Sequence, residues 1–324
     1  VRRSNICRMI PHLLRQVLLA VPALLGVMIT VFLLMRSVPG DVVTSLVGLQ
    51  GNVTPERLEE LRRLFGLDLP LHQQFMQWLG ATLQGDLGSS LRTGRPVALD
   101  LALRFPVTLE LTLLSMLIAV VVALPLGVIA ALTRGTIIDY AVSVFALIGL
   151  SLPGFFLGIL LILLFSLYWG VLPPGGYVPL TEDPWQNLRH MLLPALSLGL
   201  ILSAAITRIA RSTMLEVMGR DFVRTARAKG VREFTVVMRH GLRNALNPIV
   251  TVMGLQFGAL LGGAVVIEQV FGLPGVGRFA LEGINLRDYP VVQGAVLLIA
   301  AAFIGVSLLL DVVYALVDPR IRYA

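Results

Sequence analysis

The sequence predicts an all-α integral membrane protein that crosses the bilayer six times. Three observations carry that prediction. Of the 324 residues, 56% are hydrophobic and only 14% are charged, against about 25% charged in ordinary soluble domains. The mean hydropathy is +0.84. The apolar residues gather into six stretches, each long enough to cross roughly 30 Å of hydrocarbon, which takes about 20 residues of helix. A soluble core cannot hide that much apolar surface behind so few charges. The single cysteine, Cys7, excludes a disulfide scaffold. The apolar content excludes a disordered chain. The placement of the basic residues excludes a soluble nucleic-acid binder, despite a formal net charge of +7.

The first span is expected over 13–35. Arg2 and Arg3 precede it, but it is too long for a cleaved signal peptide. Met35-Arg36-Ser37-Val38-Pro39-Gly40 also offers no small-x-small cleavage site. It reads as a retained helix. A long polar segment follows. Thr54-Pro55-Glu56 is a helix start, because Thr54 can cap, Pro55 suits the first turn and Glu56 suits the positive end of the dipole. Leu58, Leu61 and Leu64 then share a face, and Gly66 can close the helix. A second amphipathic helix places Leu71, Phe75, Trp78 and Leu79 on one side. Both helices are too short and too charged to span. They are expected on the outer membrane surface or against the other helices. Further spans are expected over 106–132, 140–169, 191–210, 246–267 and 291–317. The third is long enough to be tilted or broken at Pro153. The chain thus divides into 1–104, one span plus the outer segment, and 105–324, a five-helix core.

Orientation follows from arginine and lysine in the connections. With the N-terminus inside, the inner segments hold Arg2, Arg3, Arg8, Arg15, Arg134, Arg320 and Arg322. The connection between the fourth and fifth spans adds Arg208, Arg211, Arg220, Arg224, Arg227, Lys229, Arg232, Arg239 and Arg243. That is the majority of the 26 basic residues. Both termini are therefore expected in the cytoplasm of a multi-pass membrane protein.

Catalytic chemistry finds little support. A P-loop needs a lysine followed by Ser or Thr, and Lys229, the one lysine, precedes Gly230. Gly275-Val276-Gly277-Arg278-Phe279-Ala280 matches a dinucleotide pattern, but no βαβ unit surrounds it. His12, His72, His190 and His240 form no zinc motif, and no G-x-S-x-G is present. No catalytic residue, metal site or cofactor of this chain is expected. Asn52-Val53-Thr54 matches the N-glycosylation triplet, a pattern too common to weigh. Glu110, Glu268 and Asp311 sit in or beside apolar stretches, where a carboxylate is by default a functional candidate. Each falls near a span end, so snorkelling or pairing with arginine is the expectation. The fifth span carries Asn247, Thr251 and Gln256, with Gly258, Gly262 and Gly263 for close helix contact. Asn247 and Gln256 either bond neighbouring helices or line a path.

The segment 211–247 is the most informative. Within it, 220–230 reads as a short helix stopped by Gly230, with Val223 packing while Arg224, Arg227 and Lys229 project. The segment either rests on anionic lipid or docks a soluble partner. Arg224-Thr225-Ala226-Arg227-Ala228-Lys229-Gly230 resembles the E-A-A-x-x-x-G loop of permease subunits in binding-protein-dependent ABC importers. Arg224 stands where the common loop has Glu, a variant usual in the peptide branch. That branch, which handles dipeptides, oligopeptides and nickel, is also resembled by 239–248, Arg36-Ser37-Val38-Pro39-Gly40-Asp41, Gly85-Asp86-Leu87-Gly88-Ser89-Ser90, Leu150-Ser151-Leu152-Pro153, Phe271-Gly272-Leu273-Pro274-Gly275-Val276-Gly277-Arg278 and Asp318-Pro319-Arg320. The matches run from the first span to the end of the chain.

The resemblance implies a permease fold with an extra N-terminal helix and outer segment. It implies a second, similar permease, two cytoplasmic ATPases that bind the ATP and Mg²⁺, and an extracytoplasmic substrate-binding protein. Lipid is the surrounding medium, and no nucleic acid is involved. The ATPase-coupling segment would be Arg220, Asp221, Phe222, Val223, Arg224, Thr225, Ala226, Arg227, Ala228, Lys229, Gly230, Val231 and Arg232. Candidates for the pathway or its gate are Pro153, Asn247, Gln256, Glu268, Phe271 and Pro274. Two readings compete with this one. A stand-alone proton- or ion-coupled carrier would need a buried carboxylate and no ATPase. An intramembrane enzyme would need a nucleophile–base pair, and the sequence offers none.

Overall fold

A computed structural model describes residues 2–37, 55–64 and 66–317. Every regular element among them is helical, and one isolated β-bridge joins Ser89 to Pro96. Among the described residues five helices are long and apolar enough to cross a membrane, and a bent pair of helices, taken as one broken span, brings the number to six. Thr54, the triplet 52–54, the Val38-Pro39-Gly40-Asp41 part of the motif that starts at Arg36 and the Asp318-Pro319-Arg320 motif lie outside the described residues, as do the side chains of Leu58, Leu61, Leu64 and Asp311.

Helix α1 is Arg2–Ser37, and Arg15–Ser37 within it is apolar enough to cross a membrane. α2 (Pro55–Leu64) ends where expected: Gly66 takes φ +63°, and the Leu67 amide reaches back to the Arg62 carbonyl at 2.9 Å. α3 (Leu71–Leu83) turns Phe75, Trp78 and Leu79 of the expected face inward, but not Leu71. Leu71 is 52% exposed, whereas Gln74 is buried. Phe75 and Trp78 pack on Phe32 of α1, with ring centroids 5.2 and 6.1 Å apart. Aromatic contact area and the Gln74 hydrogen bonds outweigh one leucine at the helix start.

α4 (Val97–Leu132) starts well before the expected 106 and runs through Pro106 and Pro125. Membrane helices tolerate such prolines better than soluble ones. The third span is broken as the proline suggested: α5 (Ile137–Ser151) and α6 (Gly154–Leu161) meet at 103°, and α6 continues as a π-helical stretch, Ile162–Tyr168. α7 (Pro184–Met218) exceeds the expected 191–210 at both ends. Asp183 caps it, accepting from the amides of Trp185 and Gln186 at 3.0 and 3.1 Å, and Pro184 fits its first turn.

The connection expected over 211–247 is largely helical. After α7 comes α8 (Asp221–Ala228). The short α9 (Glu233–Thr235), a π-helical stretch (Val236–Leu242) and α10 (Arg243–Gly263) then form one continuous rod. The fifth span was expected over 246–267; instead the rod stops at Gly263 and α11 (Val265–Phe271) is a separate helix. α12 (Val276–Leu286) and α13 (Tyr289–Val317) complete the chain.

The fold comprises two compact units. One centres on Leu109–Leu273, and its core joins Met116, Ala119 and Ala123 of α4 to Ile206, Ala210 and Met214 of α7 and Ala245 and Ile249 of α10. Small residues let these backbones approach. A Cβ on Gly199 would lie 2.8 Å from the Ser115 carbonyl, and one on Gly127 2.6 Å from the Ala210 methyl. The other unit combines described parts of Leu14–Thr108 with Pro274–Ile304. There Val97 and Leu101 pack with Val276, Phe279 and Val291.

Candidate functional site: the basic segment around α8

α8 stands on a small core. Val223 is fully buried, Ala226 and Val236 are buried with it, and Met218 and Val231 pack alongside. The helix ends as the sequence predicts. The amides of Lys229 and Gly230 turn back to the carbonyls of Thr225 and Arg227, at 3.1 and 2.9 Å, and Gly230 takes φ +73°. An L side chain there would carry the left-handed penalty. The next residues therefore leave the helix axis and lead into α9.

The remaining faces of α8 are exposed. Arg224 keeps 77% of its side chain in solvent, with Asp221 at 3.5 Å, and Phe222 is 40% exposed. Arg220 pairs with Glu216 one turn back on α7 at 2.5 Å. Arg227 differs from its neighbours, because its guanidinium forks onto Glu233 at 2.6 and 3.1 Å and so ties α8 to α9. Those hydrogen bonds raise its already high proton affinity. The predicted coupling residues thus divide by role. Val223, Ala226, Val231, Arg227 and Gly230 set the shape. Arg220, Asp221, Phe222, Arg224, Thr225, Ala228, Lys229 and Arg232 face outward. Phe234, 77% exposed, adds a second aromatic side chain that periodicity alone does not single out.

α7 delivers α8, and a half-buried ion pair fixes α7. Arg211 Nε and Nη2 donate to the two carboxylate oxygens of Asp139 at 2.6 and 2.8 Å, and the Gly135 amide donates to the same carboxylate at 3.0 Å. The fork geometry suits guanidinium and carboxylate. The two residues lie 72 positions apart in sequence, and periodicity pairs neither with the other.

The six pathway candidates are dispersed. Pro153 is exposed at the break between α5 and α6. Asn247 and Gln256 are half-buried on α10. Glu268 and Phe271 are enclosed on α11, at 0% and 1% exposure. The Phe271 ring packs so close to Gly158 of α6 that a Cβ there would lie 3.0 Å from it. Pro274 belongs to the other unit. Glu110, expected to snorkel or pair with arginine, instead accepts a hydrogen bond from the Tyr177 hydroxyl at 3.0 Å. Burial, reinforced by the Glu110 charge and this hydrogen bond, pushes the Tyr177 phenol up to about 12.

The dinucleotide-like glycines open α12, where the Val276 amide is taken by the Thr108 hydroxyl at 2.9 Å. Among the described residues no three of His, Cys, Asp or Glu converge as metal ligands would.

Two family models match the chain. "Binding-protein-dependent transport system inner membrane component" covers residues 123–323, and the corresponding N-terminal component covers 9–112. The chain is 42% identical to the dipeptide transport system permease protein DppB of Escherichia coli K12, over 97% of this chain and 99% of that one. It is 43% identical to a putative peptide transport system permease of Brucella abortus strain 2308, over 96% and 98%. It is also 43% identical to the glutathione transport system permease GsiC of Escherichia coli O6:H1, over 97% and 100%. In fold it is similar to the methionine ABC transporter MetNI in an inward-facing conformation. That match has a TM-score of 0.55 at 19% identity and covers 68% of this chain and 96% of that one.

Proposed function

The chain belongs to the family of binding-protein-dependent transport system inner membrane components, and from that premise we propose that it forms half of a translocation path for di- or oligopeptides. It is a multi-pass permease of the bacterial inner membrane. Near full-length likeness to dipeptide, peptide and glutathione permeases supports the cargo class. In this reading a second permease supplies the other half, an extracytoplasmic binding protein delivers the peptide, and two cytoplasmic ATPases hold ATP and Mg²⁺. Both termini and the basic α8 face the cytoplasm. The family speaks against a carrier working alone.

Residues 220–232 are the coupling segment. One observation carries this role: α8 has a buried underside of two residues, and its cations otherwise project into solvent. A surface of that kind adds little to the fold and suits a groove on another protein. Arg211 and Asp139 transmit the pull, because Arg211 stands on α7, whose end at Met218 leads directly into the segment, and Asp139 holds it from α5. Movement of the ATPases would thereby bias a two-state helix bundle between inward and outward access.

The test is affinity purification of the full chain from its native host in mild detergent, as wild type and as the double variant Arg224→Glu/Lys229→Glu. Arg227 is left alone because it holds Glu233. The wild type should bring down two ATPases and a sister permease. The variant should keep the permease and lose the ATPases. A chain that purifies without ATPases in both forms would overturn the coupling role.

A further inference from the structure

We propose that the groove between α5 and α7 binds the phosphate of an anionic phospholipid. The inference rests on the orientation given under the proposed function, which puts the Arg211 end of the groove at the cytoplasmic surface.

The two helices run antiparallel. Asp139 meets Arg211 near one end, and Gly149 meets Ala204 toward the other, where a glycine Cβ would lie 2.7 Å from the alanine methyl. Between them lies a cavity of about 360 Å³, lined among others by Ser143, Leu147, Thr207, Arg208, Arg211 and Ser212. Apart from Arg211, its donors are uncommitted. Arg208 is exposed and has no ion pair or hydrogen bond among the described residues. The hydroxyls of Ser143 and Ser212 likewise have no partner among them. The Thr207 hydroxyl is buried, at 1% exposure of the residue, and also has none. Three other serines on these two helices behave differently. Ser151, Ser197 and Ser203 donate to carbonyls of their own helices at 2.9, 2.7 and 2.6 Å, the usual way a helix satisfies such groups.

Charge decides the ligand class. Asp139 is the acid bound to the groove's Arg211, and both of its oxygens are engaged. That ion pair is internally neutral, so Arg208 is left as an unbalanced cation beside three free hydroxyl donors. An oxyanion is the ligand class that complements them.

Polarity along the groove decides the source. The donors cluster toward Arg211 and Ser212. Beyond them the wall becomes apolar, with Leu147 58% exposed and its neighbours Val144 and Ile148 52% and 54% exposed. A ligand with an anionic head and a hydrocarbon tail fits both parts, and basic pockets between helices at the cytoplasmic face are suited to such headgroups. A peptide carboxylate or free phosphate would leave the apolar wall unused.

The test is native mass spectrometry of the delipidated full chain, titrated with dioleoyl-phosphatidylglycerol or dioleoyl-phosphatidylcholine. One phosphatidylglycerol should be retained with about tenfold preference, and Arg208→Gln should remove most of that preference. The double variant Ser143→Ala/Ser212→Ala should weaken retention severalfold while leaving Asp139 and Arg211 intact. Inorganic phosphate and the dipeptide Ala-Ala should not displace the lipid. Equal retention of the two lipids, or an unchanged Arg208→Gln, overturns the site. Displacement by Ala-Ala overturns the lipid assignment in favour of a cargo carboxylate, and displacement by phosphate reduces the site to an ion site. Lipid retention needs no ATPase, so a null result here leaves the importer reading untouched, and loss of that reading would show in the purification instead.

Discussion

Two connections within the same unit are built on opposite principles. The stretch 169–183, between the π-helical turn and α7, has no regular structure, yet it is fastened along its length. Arg189 donates to the Val171 carbonyl at 2.8 Å, the Gly176 amide to the Phe271 carbonyl at 2.8 Å, Asn187 to the Val178 carbonyl at 2.9 Å, and Tyr177 to Glu110. The stretch 219–232 contains a regular helix, yet only Val223 and Ala226 of that helix are buried. Regular secondary structure and firm attachment are therefore separate properties. On the proposed topology the fastened stretch faces outward, where a leak must be sealed, and the lightly attached helix faces the ATPases, where it must be gripped.

The largest expected effect breaks the fastened side. A Cβ on Gly175 would lie 2.4 Å from the Phe271 carbonyl oxygen, a backbone atom with little freedom to retreat. Gly175→Ala should cost about 3 kcal/mol, in the range of overpacked cores, and appear as a lower melting temperature of the purified chain. An unchanged melt would show that this stretch is looser than its hydrogen bonds imply.

Val223→Ala probes the other side. It removes two buried methyl groups and should cost about 2 kcal/mol locally. Because so little else anchors α8, the loss should fall on the segment and not on the bundle. Hydrogen exchange should rise over 219–232 while amides of α7 and α10 keep their protection. Uniformly faster exchange would mean that α8 is part of the main folding unit.

How legible each side is from sequence follows the same division. Patterns local in sequence could be read directly: the six spans, the Pro153 break, the Gly230 stop and the buried Val223. The bonds that fasten distant elements could not, because periodicity fixes which face a residue occupies and not what it meets. Asp139 with Arg211 and Glu110 with Tyr177 are such cases. The start of α7 was in principle readable, since Asp183-Pro184 is a cap followed by a first-turn proline. The early start of the rod at Glu233 was masked by its charges, which suggested a loop.

Tyr177 gives a smaller effect with a defined pH window. Burial and the adjacent Glu110 hold its phenol well above the ordinary value of 10.0, pushed up to about 12. The neutral form is thus the one the fold prefers. Its contribution is fully present below pH 10, fades as pH rises toward 12, and is absent above. Tyr177→Phe should cost about 1 kcal/mol at neutral pH and progressively less above pH 10. The difference in tyrosinate absorbance between wild type and variant should have its midpoint near 12. A midpoint at 10 would mean that Tyr177 is not held against Glu110 in solution.

The smallest effect on stability is the sharpest test of the comparison. Arg224→Gln with Lys229→Gln removes two exposed charges, and surface changes of this kind usually stay within about 0.5 kcal/mol. The melt should not move. Association with the ATPases should change, because charges at the rim of an interface govern encounter rate and salt dependence more than packing. Wild-type chain should release its ATPases progressively as salt is raised. The variant should bind less at low salt and respond less to its increase. A variant that melts early would place these residues in the fold, and one that binds with the wild-type salt dependence would remove them from the interface. Either result would erase the distinction between a fastened connection and a presented one.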